Sequence, residues 1–341
     1  MLESGWGVAR RGVLRMSGAA LAFGAHHAHA QGKPAPRRGG TLIIALEGEP
    51  GSLTAHLATD TAALIPATNL FNGLIGLDLN FEPTPDLAET WTISPDGLTY
   101  VFELARNAKW HDGKPVTAED AEYTFNEIIA KVHPRASAWW PNVAHAKAIG
   151  PNSFEIKLKA PFAPFLTMLG SQLGAGALIM PKHVYLGTDP KTNAANQRPI
   201  GSGPFTFSRW QRGTFIELNR NPNYFKANLP YLDRLVFQVS SDPAARLLAF
   251  ERGEIDFLHW YIVPYDRIGR LRTDRRFTLY EKGDAAATNG LMLINHRHDR
   301  LKDSKIRQAL AHAINRQSIN ERALFGEAKV AKSHLGSTLA G

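Results

Sequence analysis

Three stretches of this chain carry residue types from which hydrolytic, metal or phosphate chemistry is built. His111-Asp112-Gly113 places a histidine beside an acid, as a serine hydrolase needs for orienting its general base. Adjacent His and Asp do not supply that geometry by themselves. Gly113 and Pro115 mark a tight turn feeding a helix cap at Thr117, so the stretch reads as turn architecture. His26, His27 and His29 are spaced like metal ligands, but they surround a signal-cleavage pattern and would leave with it, so no metal site is expected. Gly201-Ser202-Gly203-Pro204 has the glycines of a phosphate loop. Such a loop must run straight into a helix N-terminus, whereas Pro204 leads into alternating aromatics of a strand. The sequence holds no His-Glu-x-x-His helix, Gly-x-Ser-x-Gly elbow or aspartate-rich calcium loop. It also has no cysteine, which excludes disulfides, thiolate metal sites, cysteine nucleophiles and a lipid-modified N-terminal cysteine.

The elements that must position any site are those of a soluble mixed α/β protein. Hydrophobic residues at 44% and charged residues at 21% exclude disorder and a polytopic membrane protein. At 341 residues the chain has room for about two domains. The net charge of +8 is spread among interleaved acids, so no nucleic-acid partner is expected. Thr41–Leu46 reads as a strand running into the turn cluster Glu-Gly-Glu-Pro-Gly-Ser, and Thr61–Leu74 as a helix. Trp91–Ile93 and Thr99–Leu104 form a hairpin around Ser94-Pro-Asp-Gly. Thr117-Ala-Glu-Asp caps a helix whose apolar face includes Ala121, Phe125, Ile128 and Ile129. Phe154–Leu158, Phe205–Trp210, Phe215–Leu218 and Leu235–Val239 alternate as strands. Asp242-Pro243 opens a helix ending at Gly253. Asn289–Asn295 reads as a buried strand, and Asp303 caps an amphipathic helix with Ile306, Leu310, Ala313 and Ile314 on one face.

The N-terminus reads as an export signal. Arg10 and Arg11 precede a short apolar stretch from Met16 to Gly24, and Ala28-His29-Ala30 offers a small-x-small cleavage pattern before Gln31. The arginine pair resembles the signal of the twin-arginine pathway, with general secretion as the other route. Residues 31–40, rich in Pro, Arg and Gly, form a flexible leader.

Distributed along the rest are Leu87-Ala-Glu-Thr-Trp, Ser94-Pro-Asp-Gly-Leu-Thr-Tyr-Val-Phe, Lys109-Trp-His-Asp-Gly-Lys-Pro-Val-Thr-Ala-Glu-Asp-Ala and Tyr123-Thr-Phe. They are followed by Gly201-Ser-Gly-Pro-Phe, Arg220-Asn-Pro-Asn-Tyr-Phe, Pro230-Tyr-Leu-Asp, Gly253-Glu-Ile-Asp, Asp303-Ser-Lys-Ile-Arg-Gln-Ala-Leu and Ala313-Ile-Asn-Arg. In this order they resemble the extracytoplasmic solute-binding proteins of peptide and nickel ABC importers, family 5. The segment Glu103-Leu-Ala-Arg-Asn-Ala-Lys departs from the Leu-Arg-x-Gly turn usual there.

The resemblance implies a two-lobed periplasmic binding protein fold (type II, with an extra subdomain). Lobe I would comprise 41–75 and 187–283, the inserted subdomain 76–186, and 284–341 the start of an incomplete second lobe. It implies a monomeric, non-enzymatic carrier that captures a short peptide or similar solute in the periplasm and hands it to ABC permease subunits. No cofactor or lipid anchor is expected. Nickel complexes, opines and oligosaccharides are alternative ligands on the same scaffold, and an exported hydrolase is the alternative of another class. Ligand contacts are expected from Glu47, Glu49 and Ser52 in the loop after the first strand, where carboxylates would meet an amino group, and from Trp260 and Tyr261, whose faces would cover side chains. Trp139, Trp140 and Trp210 are further aromatic candidates. Residues 1–341 alone are expected to bind poorly, and proteolysis to leave a fragment ending near Gly283.

Overall fold

The computed structural model describes residues 2–4, 6–10, 36–58, 60–136, 140–171, 177–259, 262–281, 288–289 and 292–330. The chain divides into two compact units, one of residues 31–241 and one combining 1–30 with 242–341. Residues 41–75, 76–186 and 187–241 fall in one unit, and 242–283 fall with 284–341 in the other. The N-terminal segment expected as an export signal supplies two short strands, β1 (Leu2–Ser4) and β2 (Trp6–Arg10).

Residues 31–241 build three sets of paired strands, one of them a two-stranded hairpin. Strand β3 (Thr41–Leu46) enters α1 (Thr61–Leu70) through the Glu47–Asp60 loop, and Asp60 caps that helix by accepting from Ala63 N at 2.9 Å. The helix stops at Leu70, short of the expected Leu74. After a small hairpin of β4 (Ile75–Leu77) and β5 (Pro83–Pro85), the chain forms β6 (Ala88–Ile93), β7 (Thr99–Leu104), α2 (Ala118–Tyr123), β8 (Val143–Ala148) and β9 (Ser153–Leu158). The antiparallel order β6-β7-β9-β8 follows the period-two pattern. Tyr100, Phe102 and Leu104 of β7 face inward beside Phe154, Ile156 and Leu158 of β9, with Phe102 opposite Phe154 in register. Phe125, Trp110 and Phe165 complete this core.

Beyond α3 (Phe165–Gly170) and α4 (Lys182–Tyr185), strands β10 (Phe205–Gln211), β11 (Phe215–Arg220) and β12 (Arg234–Val239) run beside β3 in the order β10-β11-β12-β3. The last pair is parallel and joins residues almost 200 positions apart, Thr41 opposite Arg234 through Leu46 opposite Val239. Such a pairing needs a long crossover, which residues 47–233 supply.

The other unit is built on α5 (Pro243–Arg252), whose N-cap Asp242 accepts from Ala245 N at 2.6 Å and whose stop, Gly253, takes a φ of +85°. Strand β13 (Phe257–Leu258), α6 (Tyr265–Thr273) and β14 (Phe277–Glu281) follow, with β2 between β13 and β14. Phe250 and Phe277 stack at 4.8 Å between ring centroids. The expected buried strand Asn289–Asn295 is corrected: strand β15 covers only Thr288–Asn289, and Leu293 is 88% exposed. Helix α7 (Ser304–Ala313) forms as expected on its Asp303 cap but buries no residue, leaving Ile306 and Leu310 exposed. Helix α8 (Arg316–Ala323) and β16 (Lys329–Val330) complete the unit. Among the described residues no helix is long and apolar enough to cross a membrane.

Candidate functional site

The loop after β3 is built from the backbone outward. Pro50 and Leu53 are buried, which anchors the loop at two points and leaves Glu49 exposed between them. The Glu49 carboxylate accepts from Trp210 Nε1 at 2.8 Å, from Gly213 N at 2.9 Å and from Arg212 Nη1 at 3.3 Å. Glu49 therefore closes the β10–β11 turn, where Gly213 adopts a φ of +70°. With three donors already on it, this carboxylate is committed to holding the hairpin. Ser52 Oγ accepts from Thr54 N at 3.0 Å, a local turn contact. Thr54 Oγ1 and the Tyr185 hydroxyl both donate to Asn196 Oδ1 at 3.1 Å, and burial pushes the Tyr185 phenol up to about 12. Glu47 is partly buried at the end of β3. The loop thus gathers Glu47, Glu49 and Ser52 on one connection, while Trp260 and Tyr261 lie outside the described residues. Of the other aromatics, Trp140 packs 6.2 Å from Phe125 in the core, Trp210 sits on the hairpin, and Trp139 lies outside the described residues, as do His26, His27 and His29.

At the base of this loop sits a histidine that sequence reasoning passed over. His56 is fully buried, and its Nε2 lies 2.5 Å from Leu178 O. Because a carbonyl only accepts, Nε2 carries the proton and Nδ1 is a bare acceptor, for which the structure shows no hydrogen-bond partner. Burial, followed by the nearby His133 ring at 5.3 Å, lowers the His56 pKa to about 3. Leu-Thr-Ala-His-Leu carries no polar alternation that would have marked this residue as interior.

The two most distinctive sequence stretches meet in space. His111 Nδ1 accepts from Gly201 N at 3.1 Å and its Nε2 donates to Gly203 O at 3.1 Å, while His111 N donates to Gly201 O at 2.8 Å. The imidazole is thus a clamp across the glycine turn, and burial lowers its pKa to about 4. The glycines are required by close approach to the end of α1. A Cβ on Gly201 would stand 1.8 Å from Leu70 O, and one on Gly203 would stand 2.6 Å from Asn69 O. Asp112 faces elsewhere, with His183 Nε2 2.8 Å from its Oδ2. Trp110, Asp120 and Lys182 form the next layer: Asp120 accepts from Thr117 N at 2.9 Å, Trp110 Nε1 at 3.2 Å and Lys182 N at 2.9 Å. His111-Asp112 is therefore scaffold, as its turn context predicts, and Gly201–Pro204 forms a packing turn rather than a phosphate loop. Among the described residues no group of three or more His, Asp or Glu side chains converges to hold a metal.

The polar groups of these turns are committed to holding the scaffold, and comparison with known proteins places that scaffold in a family. The chain belongs to the bacterial extracellular solute-binding proteins, family 5, whose middle-region model matches residues 82–341. A protein of Brucella ovis provisionally named as an ABC transporter peptide-binding protein is 35% identical over 251 residues, 72% of this chain and 45% of that protein. The oligopeptide-binding protein AppA of Bacillus subtilis is 30% identical over 302 residues, 87% of this chain and 54% of its own. The structure of AppA in complex with a nonapeptide aligns at a TM-score of 0.72 and 27% identity, over 89% of this chain and 59% of that one. NikZ of Campylobacter jejuni, solved with Ni(L-His), aligns at 0.69 and 27%, over 86% and 57%. The fold is thus that of the periplasmic binding proteins, and the chain spans about half the length of the curated relatives it matches.

Proposed function

We propose that this chain is the substrate-binding component of an ABC importer that captures a short peptide in the periplasm and presents it to membrane permease subunits. The carrying observation is the family match over residues 82–341. The named stretches within it form clamps and turns, a scaffold for holding a ligand rather than transforming one. Similarity to AppA, solved with a nonapeptide, favours a peptide over other solutes. The Arg10-Arg11 pair, the apolar stretch Met16 to Gly24 and the Ala28-His29-Ala30 pattern support residues 1–30 as the export signal of this reading. Transport requires no cofactor and no bond cleavage by this chain: a ligand that contacts both lobes of a binding protein favours the closed state by its differential affinity.

Incubation with labelled tetra- to nonapeptides tests the reading. Stoichiometric retention without change in the peptide, stronger when the sequence is extended to the length of its relatives, is the expected result. Turnover of the peptide would replace the carrier with the hydrolase alternative, and selective retention of a nickel complex would replace the ligand.

A further inference from the structure

The β10–β11 hairpin carries a feature that the import reading does not use. A hollow of about 280 Å³ opens there, lined by Gln197, Arg198, Phe207, Ser208, Arg209, Trp210 and Arg212. Three of these seven residues are arginine and none is acidic. We propose that this hollow binds a small organic carboxylate.

The arginines are prepared to different degrees. The Arg212 guanidinium lies 3.5 Å from the centre of the Trp210 ring, donates to Pro50 O at 3.4 Å and Glu49 Oε1 at 3.3 Å, and also donates to Gln197 Oε1. It is therefore fixed before any ligand arrives, which lowers the ordering cost of binding. Arg209 lies 4.7 Å over Phe215, with its Nη2 4.0 Å from Glu217 Oε2. Glu217 is shared with Arg234 at 3.6 Å and accepts from Ser208 Oγ at 2.9 Å. Glu49 and Glu217 thus offset two of the three guanidinium charges from outside the lining. Arg198 is exposed and makes no hydrogen bond or ion pair among the described residues, so its charge is uncompensated.

A planar guanidinium edge matches a carboxylate with two parallel N–H donors. The half-exposed rings of Phe207 and Trp210 offer apolar wall for the body of the ligand. The volume suits a small acid rather than a peptide of several residues. A metal cation is disfavoured because the lining has no acidic ligand.

Calorimetric titration of the full chain with phenylacetate, succinate and inorganic phosphate tests the assignment, using wild type, Arg198→Ala, Arg198→Glu and Arg198→Lys. Arg198 has no partner among the described residues, so thermal melts of all four proteins should coincide, which separates loss of binding from loss of fold. Saturable millimolar or tighter binding of a carboxylate is expected, weakened at least about ten-fold by Arg198→Ala, abolished by Arg198→Glu and partly kept by Arg198→Lys. Absence of saturable carboxylate binding, equal affinity in Arg198→Ala, or phosphate binding more tightly than either acid overturns the proposal. None of these outcomes bears on peptide retention, so the import reading stands or falls separately.

Discussion

Helices α2 and α7 begin from the same signals and end in different surroundings. Each follows a capping residue, Thr117 or Asp303, and carries apolar residues at helical spacing. The α2 turn and the π-helical turn that continues it bury Ala118, Ala121, Tyr123, Phe125, Ile128 and Ile129. Helix α7 buries none, and Ile306 and Leu310 remain 40% and 38% exposed. Local sequence therefore suffices to start and orient a helix, while its contribution to stability depends on what lies across from its apolar face. Between Val143 and Leu158 the chain returns two strands to cover α2, whereas no described residue buries the face of α7.

The sharpest way to break this contrast is to truncate one side chain on each side. Phe154→Ala removes a fully buried ring from the β7–β9 core and should cost about 3–5 kcal/mol in urea denaturation, enough to unfold much of the protein at room temperature. Ile306→Ala on α7 should stay within about 0.5 kcal/mol of wild type. Equal losses would mean that the face of α7 is covered in solution.

A backbone version of the comparison uses the glycine turn. Gly201→Ala forces a methyl group to within 1.8 Å of a carbonyl oxygen and should destabilise by about 3 kcal/mol or fail to give soluble protein. Gly326→Ala, in the other unit, meets no atom within 4 Å and strains only a φ of +76°, so a loss of about 1 kcal/mol is expected. The same melts rank the two.

Acid sharpens the contrast further, because His56 and His111 both lie in the 31–241 unit. Their folded pKa values of about 3 and about 4 are below the ordinary 6.5, so the unfolded chain binds more protons between those limits. Stability from these residues is fully present above pH 6.5 and falls as the pH drops toward 4, by up to about 1.4 kcal/mol per pH unit for each histidine. Urea midpoints at pH 7.5, 6 and 5 should decline accordingly. A flat profile would show that the imidazoles are solvated.

The smallest of these effects concerns Glu49. Glu49→Gln keeps an acceptor for Trp210 but loses the charge facing Arg212, and should cost about 1 kcal/mol or less. If peptide retention falls by more than about ten-fold while the melt barely moves, the carboxylate contacts ligand as well as the hairpin.

The capped helices, the Ser94–Gly97 hairpin and the alternating strands were legible because each is a local matter of turn residues and period-two or helical spacing. The Asn289–Asn295 strand failed because a continuous apolar run states only that a segment would gain from burial. Burial itself needs a facing surface, and among the described residues Leu293 meets none. The site was legible in part. An acid-rich loop after β3 could be read directly, but the tie of Glu49 to a hairpin more than 160 residues later could not.

The sequence by itself determined the class of this protein: its caps, turns and glycines are local steric and hydrogen-bonding requirements, written in order and sufficient to place the chain in its family. Only the tertiary structure decided what those residues do. His111 became a clamp rather than a base because Gly201 and Gly203 arrive at its two nitrogens, and those glycines are obligatory because Leu70 O leaves no space for a Cβ. Contacts across 90 residues of chain depend on which surfaces pack, and packing is a property of the whole fold.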